Sequence, residues 1–192
     1  GSLKIPRPKN RRNRPLPAAE DWVSGRKDAS VTLFGIVDRR DFESAKLFYG
    51  VTRLAKKFKG RELRVVLRPW ILPVEVNSLR EARVFSSLKD AATKADWLDW
   101  TYLDPEGARG DRLLEHSLSL AASPKDAAAR ADTKEIDAYL MTVLKDQVRM
   151  SIEAPPALFL NGTRLDGIPS EKELEFAVRR ELERVKPLLR SS

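Results

Sequence analysis

Short continuous apolar runs alternate along the chain with stretches in which apolar residues recur every three to four positions. Val31-Thr-Leu-Phe-Gly-Ile-Val37 belongs to the first kind and predicts a strand buried on both faces. Asp41 opens a helical pattern, in which Leu47, Val51, Leu54 and Phe58 share one face of a helix ending near Gly60. Glu62-Leu-Arg-Val-Val-Leu-Arg68 predicts a second strand, closed by Pro69. Residues 31–68 therefore read strand–helix–strand, with a right-handed crossover between parallel strands.

A helical block follows. Ser78 and Glu81 have capping-box spacing, and Leu88, Ala91, Ala92, Ala95 and Leu98 continue a helical stripe. Pro105 to Gly110 reads as a turn and Arg112 to Ala122 as a short helix. Ser123-Pro124 is an N-cap with proline in the first helical position. Asp132 and Glu135 form another capping box, leading into Ile136, Leu140, Val143, Leu144 and Val148. The pattern then returns to strands. Ala157-Leu-Phe-Leu160 is followed by the turn dipeptide Asn161-Gly162 and a return strand from Thr163 to Asp166. Ser170 and Glu173 make a third capping box, opening a last amphipathic helix through Leu174, Ala177, Val178, Leu182 and Val185 that Pro187 should stop.

Composition narrows the chemistry. The 192 residues include no cysteine and one histidine, His116, on a helical pattern that suits a surface or packing role. Disulfides, thiolate catalysis and cysteine-bound metal are excluded, and so is a histidine-rich metal site. No metal site, cofactor motif or glycine-rich phosphate loop is legible. No run approaches the ~20 apolar residues of a membrane helix. Trp97, Trp100 and Leu103, at steps of three, read as helix–helix core.

The charge is concentrated. Residues 1–30 carry eight basic residues and three acids, which is +5 of the chain's +8. Gly1-Ser2 reads as a vector-derived remnant, so residue 3 is not expected to be a natural start. Lys4, Arg7, Lys9, Arg11, Arg12 and Arg14, spaced by four prolines up to Pro17 and free of acids, predict an extended solvated arm. Such an arm suits a linker, or a contact with an acidic surface such as a membrane. It carries no interleaved aromatic residue, which disfavours nucleic acid.

Three segments, Ala29 to Asp38, Arg64 to Pro73 and Ile152 to Gly162, resemble in order and spacing the DsbA-like version of the thioredoxin fold. The Asp-Trp-Leu-Asp-Trp stretch around Trp97 also falls where that family often has an aromatic pair. The resemblance implies an α/β fold of βαβ and ββα halves with a helical domain inserted between them. The divisions are then a tail at 1–25, a thioredoxin-like part at 26–75 and 151–187, and a helical insert at 76–150. It also implies an extracytoplasmic, bacterial, periplasmic setting.

The departures from the family are informative. Its Cys-x-x-Cys falls on Asp41-Phe42-Glu43-Ser44, where neither a carboxylate nor a hydroxyl can exchange disulfides. Asp41 suits a helix cap better than a catalytic carboxylate, with Arg39, Arg40 and Lys46 near to keep it ionised. The family's cis-proline falls on Pro156. The preceding residue, which pairs with substrate backbone in the family, is Pro155 and has no N–H to offer. Trp70 and Phe42 are groove candidates. The expected role is a redox-inactive interaction or structural module, serving a protein partner or a neighbouring domain. Two alternatives remain beside it: an enzyme like the kappa-class glutathione transferases and related isomerases using Ser44 or Asp41, and binding to an acidic surface through the basic tail. Oligomeric state has no signature in the sequence.

Overall fold

The computed structural model describes residues 14–121 and 123–189. Its described residues form five strands and seven helices in the order β1 (Trp22–Ser24), β2 (Val31–Val37), α1 (Phe42–Ala55), β3 (Leu63–Pro69), α2 (Val76–Ser87), α3 (Ala91–Leu103), α4 (Gly110–Leu120), α5 (Pro124–Ala131), α6 (Lys134–Arg149), β4 (Ala157–Leu160), β5 (Thr163–Arg164) and α7 (Glu171–Leu189). One mixed sheet runs β1-β3-β2-β4-β5. β2 pairs in parallel with β3 and antiparallel with β4.

The continuous apolar runs follow from this topology, because β2, β3 and β4 are covered on both faces. Leu33, Val65, Leu67, Leu158 and Leu160 pack on α1 and α7 through Leu47, Val51, Leu54, Leu174 and Val178. Phe34, Ile36, Val66 and Phe159 point the other way, onto Met150 and Ile152. A third cluster joins Ile71 and Ala82 to Ile136, Tyr139, Leu140 and Val143 of α6. In the β4–β5 turn Asn161 and Gly162 have φ of 46° and 81°, the left-handed backbone that Asn-Gly favours.

The tail boundary at residue 25 is corrected. Residues 22–24 pair antiparallel with β3, Trp22 opposite Leu67, and the Trp22 Nε1–H donates to the Ala91 carbonyl at 2.8 Å. The preceding Asp21 is buried and chelates Arg68 of β3 through two bonds of 2.9 and 3.0 Å. Tyr139 donates to the same carboxylate at 2.7 Å, and Asp146 takes a third Arg68 bond at 2.8 Å. Three strand residues are too few for periodicity to reveal, and the surrounding charge and proline disguised them.

Some helix ends also differ from expectation. α1 stops at Ala55, and Phe58 packs on the core from the turn beyond it. α2 begins before Ser78, whose Oγ instead accepts the Leu72 N–H at 2.8 Å. Leu88 ends α2 rather than continuing into α3. Thr133, not Asp132, caps α6, because its side chain accepts from the Ile136 N–H. The last helix runs two residues past Pro187. The Ser170–Glu173 box forms in both directions, at 2.7 and 3.2 Å.

Candidate functional site

The end of β2 delivers the chain to α1 through Asp38-Arg39-Arg40-Asp41. Asp41 is the N-cap, and its Oδ2 accepts the Ser44 N–H at 2.7 Å. The capping reading therefore holds, but the named cations do not carry it. Arg39 pairs with Glu81, Arg40 with Glu75 and Asp38, and Lys46 with Glu43 at 3.2 Å. Ser44 has no exposed surface, and its Oγ accepts the Asp38 N–H at 3.0 Å. A hydroxyl so enclosed and engaged cannot meet a substrate without dismantling the first turn of α1. Phe42, between them, is 72% exposed, with the Lys46 ammonium 4.8 Å from its ring.

Ile36 lies opposite Ala157 in the antiparallel register, which brings Pro156 alongside Val37, just before the α1 entry loop. The Pro155–Pro156 bond is cis. Pro155 has no N–H, so this edge cannot donate to an added strand at that residue.

Beside the loop, the Arg39 side chain is buried, with its Nη2 2.5 Å from Glu81 Oε1. Its Nε and Nη1 are buried without a partner. Arg39 and Glu81 line a cavity of about 20 Å³, together with Val37, Trp70, Phe85 and Trp97, and that volume holds about one water. Trp70 also packs against the Phe34 cluster, and its backbone N–H donates to Val37. It is half-buried and forms part of the cavity wall. Tyr102 adds a bond from its hydroxyl to the Asp38 carbonyl at 3.2 Å. Burial pushes the Tyr102 phenol well up.

The outer rim is held by Arg40, which grips Glu75 with two nitrogens at 3.1 and 3.0 Å. The Arg40 guanidinium keeps the Glu75 carboxyl below its ordinary range. On either side of Glu75, Val74 and Val76 are 90% and 80% exposed. The sequence pattern singled out neither valine, and it did not pair Arg39 with Glu81. An arginine at the end of a buried strand was the available signal, since it requires an acid from elsewhere in the fold.

Among the other expected residues, Trp97 is buried and donates to Ser117 at 2.6 Å. Trp100 stacks on His116 with centroids 4.0 Å apart. Leu103 departs from the core reading and is 73% exposed at the end of α3. Arg14 is exposed, and its carbonyl accepts from Arg149. Lys4, Arg7, Lys9, Arg11 and Arg12 lie outside the described residues.

No family model and no curated protein matches the chain. Solved structures do. It is similar to alpha-DsbA1 of Wolbachia pipientis at a TM-score of 0.73 and 14% identity, over 91% of this chain and 96% of that one. Oxidised BdbD of Bacillus subtilis matches at 0.66 and 18%, over 88% and 97%. A thioredoxin-like oxidoreductase of Silicibacter pomeroyi matches at 0.68 and 16%, over 85% and 92%. The fold is the DsbA-like thioredoxin fold, here in a chain without a single cysteine.

Proposed function

We propose that this DsbA-like domain works by binding rather than by redox chemistry, and that the mouth of the former active site takes a protein partner or a neighbouring domain. One observation carries the reading. Where thiol chemistry would need reactive, accessible groups, Asp41 and Ser44 are consumed by the fold, and apolar side chains stand among the exposed groups around them. Asp41 and Ser44 are tied into the first turn of α1, whereas Phe42, Val74 and Val76 stand in solvent around the Arg40–Glu75 pair. Exposed apolar side chains grouped around a rigid polar clasp are what a protein interface uses for its core and rim. With Pro155 unable to donate, side-chain packing rather than strand addition supplies the affinity.

The glutathione-transferase-like alternative is disfavoured by the enclosure of Ser44. Retention on immobilised glutathione, or turnover of an electrophile that Ser44→Ala abolishes, would establish it instead. An extracytoplasmic location accords with the resemblance. Among the described residues no helix is long and apolar enough to cross a membrane.

The direct test places a photo-crosslinking amino acid at positions 42, 74 and 76, and at position 176 of α7 as a control, in cells that make the protein. The reading expects one common adduct from the first three positions and none from the fourth. Equal labelling at all four, or none, would refute it.

A further inference from the structure

We infer that Arg39 is the residue by which the mouth selects its partner, and that it takes one neutral oxygen, a backbone carbonyl of a polypeptide. The inference rests on the protein-partner reading above and adds the chemistry of the contact. Arg39 lies two residues beyond the end of β2, and its side chain is 6% exposed. Nη2 is spent on Glu81, whereas Nε and Nη1 are buried and have no partner among the described residues. A buried charged donor left without an acceptor is costly, so an acceptor brought to it gains more than one at the surface would.

The place for that acceptor is the cavity that Arg39 lines with Glu81, Trp70 and Trp97. Its volume of about 20 Å³ admits a single oxygen-sized group and is too small for a ring or an aliphatic side chain. Other polar groups of its wall are already engaged. The Ser78 Oγ accepts the Leu72 N–H, and the Trp97 Nε1–H donates to Ser117. Val37, also in the wall, lies alongside Pro156 by the β2–β4 register. Pro155 has no N–H for an incoming backbone, and Arg39 offers a side-chain donor close by.

Charge decides the kind of oxygen. Glu81 pairs with Arg39 and lies 4.0 Å from Arg40, which also pairs with Asp38 and Glu75. Carboxylates thus already outnumber guanidiniums at the mouth. A further carboxylate would enter against like charge, whereas a carbonyl oxygen accepts without that repulsion. A polypeptide offers a carbonyl at every residue, together with apolar side chains to meet Phe42, Val74 and Val76. Packing against those three supplies area, and the bond to Arg39 supplies orientation.

Nuclear magnetic resonance of the isotope-labelled full chain follows the Arg39 Nε–H signal while N-methylacetamide, a peptide-group probe, or sodium acetate is added at equal concentration. N-methylacetamide is expected to shift the signal saturably, and acetate to leave it in place. In cells that make the protein, Arg39→Lys keeps the charge beside Glu81 but removes the Nε and Nη1 donors. It should lower photo-crosslinking from positions 42, 74 and 76 by about tenfold or more, the effect of losing a bond from a charged donor. Circular dichroism checks that the variant folds, and the titration is read on the unsubstituted chain. The inference is overturned by a signal that ignores N-methylacetamide, by one that acetate shifts equally, or by crosslinks that keep their full yield in Arg39→Lys. The last outcome leaves the partner reading standing, whereas an unsubstituted chain that forms no crosslink at all overturns that reading and this inference with it.

Discussion

Arg68→Met tests the buried network that ties the N-terminal segment to the sheet. The Arg68 side chain has no exposed surface and neither does that of Asp21. Burial by itself would lower the guanidinium pKa, but the bonds to Asp21 and Asp146 outweigh it and hold the value above the ordinary one. Substituting methionine keeps most of the volume and removes the donors. Asp21 then keeps its bonds from the Ala18 N–H and the Tyr139 hydroxyl but loses its counter-charge. Removing one member of a buried ion pair typically costs about 3–5 kcal/mol. At about 2–4 °C per kcal/mol for a chain of this size, Tm should fall by about 6–20 °C. The Arg68→Met, Asp21→Leu double variant should recover much of that loss, because no unpaired charge remains. Urea titration of the four members of the cycle gives the coupling, and hydrogen exchange should show β1 amides losing protection before those of β2 in the single variant. A single-variant cost under about 1 kcal/mol, or a double variant no better than the single, would overturn the assignment of Arg68 as the clamp.

The site and the tyrosines give further tests. Ser44→Ala should cost about 1–3 kcal/mol in urea by stranding the Asp38 N–H, and Asp41→Ala about 1 kcal/mol through the lost cap. A Ser44→Ala variant as stable as the parent would contradict the enclosure described for it. All three tyrosines titrate high: burial, then Asp99, pushes Tyr49 up to about 12, and burial raises Tyr102 and Tyr139 further above the ordinary phenol value. The folded state therefore holds phenol protons that the unfolded chain releases near pH ~10, so this contribution to stability is complete below that pH and is lost as pH rises through the raised values. Tyrosinate absorbance should develop only above the ordinary range and together with loss of helical ellipticity; a midpoint near pH ~10 in a folded chain would refute it. Two glycines should respond with opposite signs. Gly25, at φ +96°, would set a Cβ 2.2 Å from the Leu63 carbonyl oxygen, so Gly25→Ala should cost about 1–3 kcal/mol. Gly50 in α1 has nothing within 4 Å of that position, so Gly50→Ala should stabilise by about 0.4–1 kcal/mol in thermal melts.

The chain alone determined the parts of the fold that depend on local pattern. The doubly covered strands at 31–37 and 157–160, the α1 face, the Asn161-Gly162 turn, the Ser123 and Ser170 caps and the order of the two halves around a helical insert all follow from periodicity and turn chemistry. So does the lack of a cysteine thiol in these 192 residues, because that needs only a residue count. Tertiary structure decided what depends on a partner far away in sequence. β1 exists because β3 offers an edge and Arg68 requires Asp21, 47 positions distant. Ser78 and Glu81 abandon the spacing of a local capping box for Leu72 and Arg39. The exposure of Phe42, Val74 and Val76 likewise depends on how α1 and the β3–α2 loop meet, which hydrophobicity along the chain does not encode. A buried charge or an exposed valine breaks the local rule, and only the packed chain supplies the counter-ion or leaves the side chain uncovered.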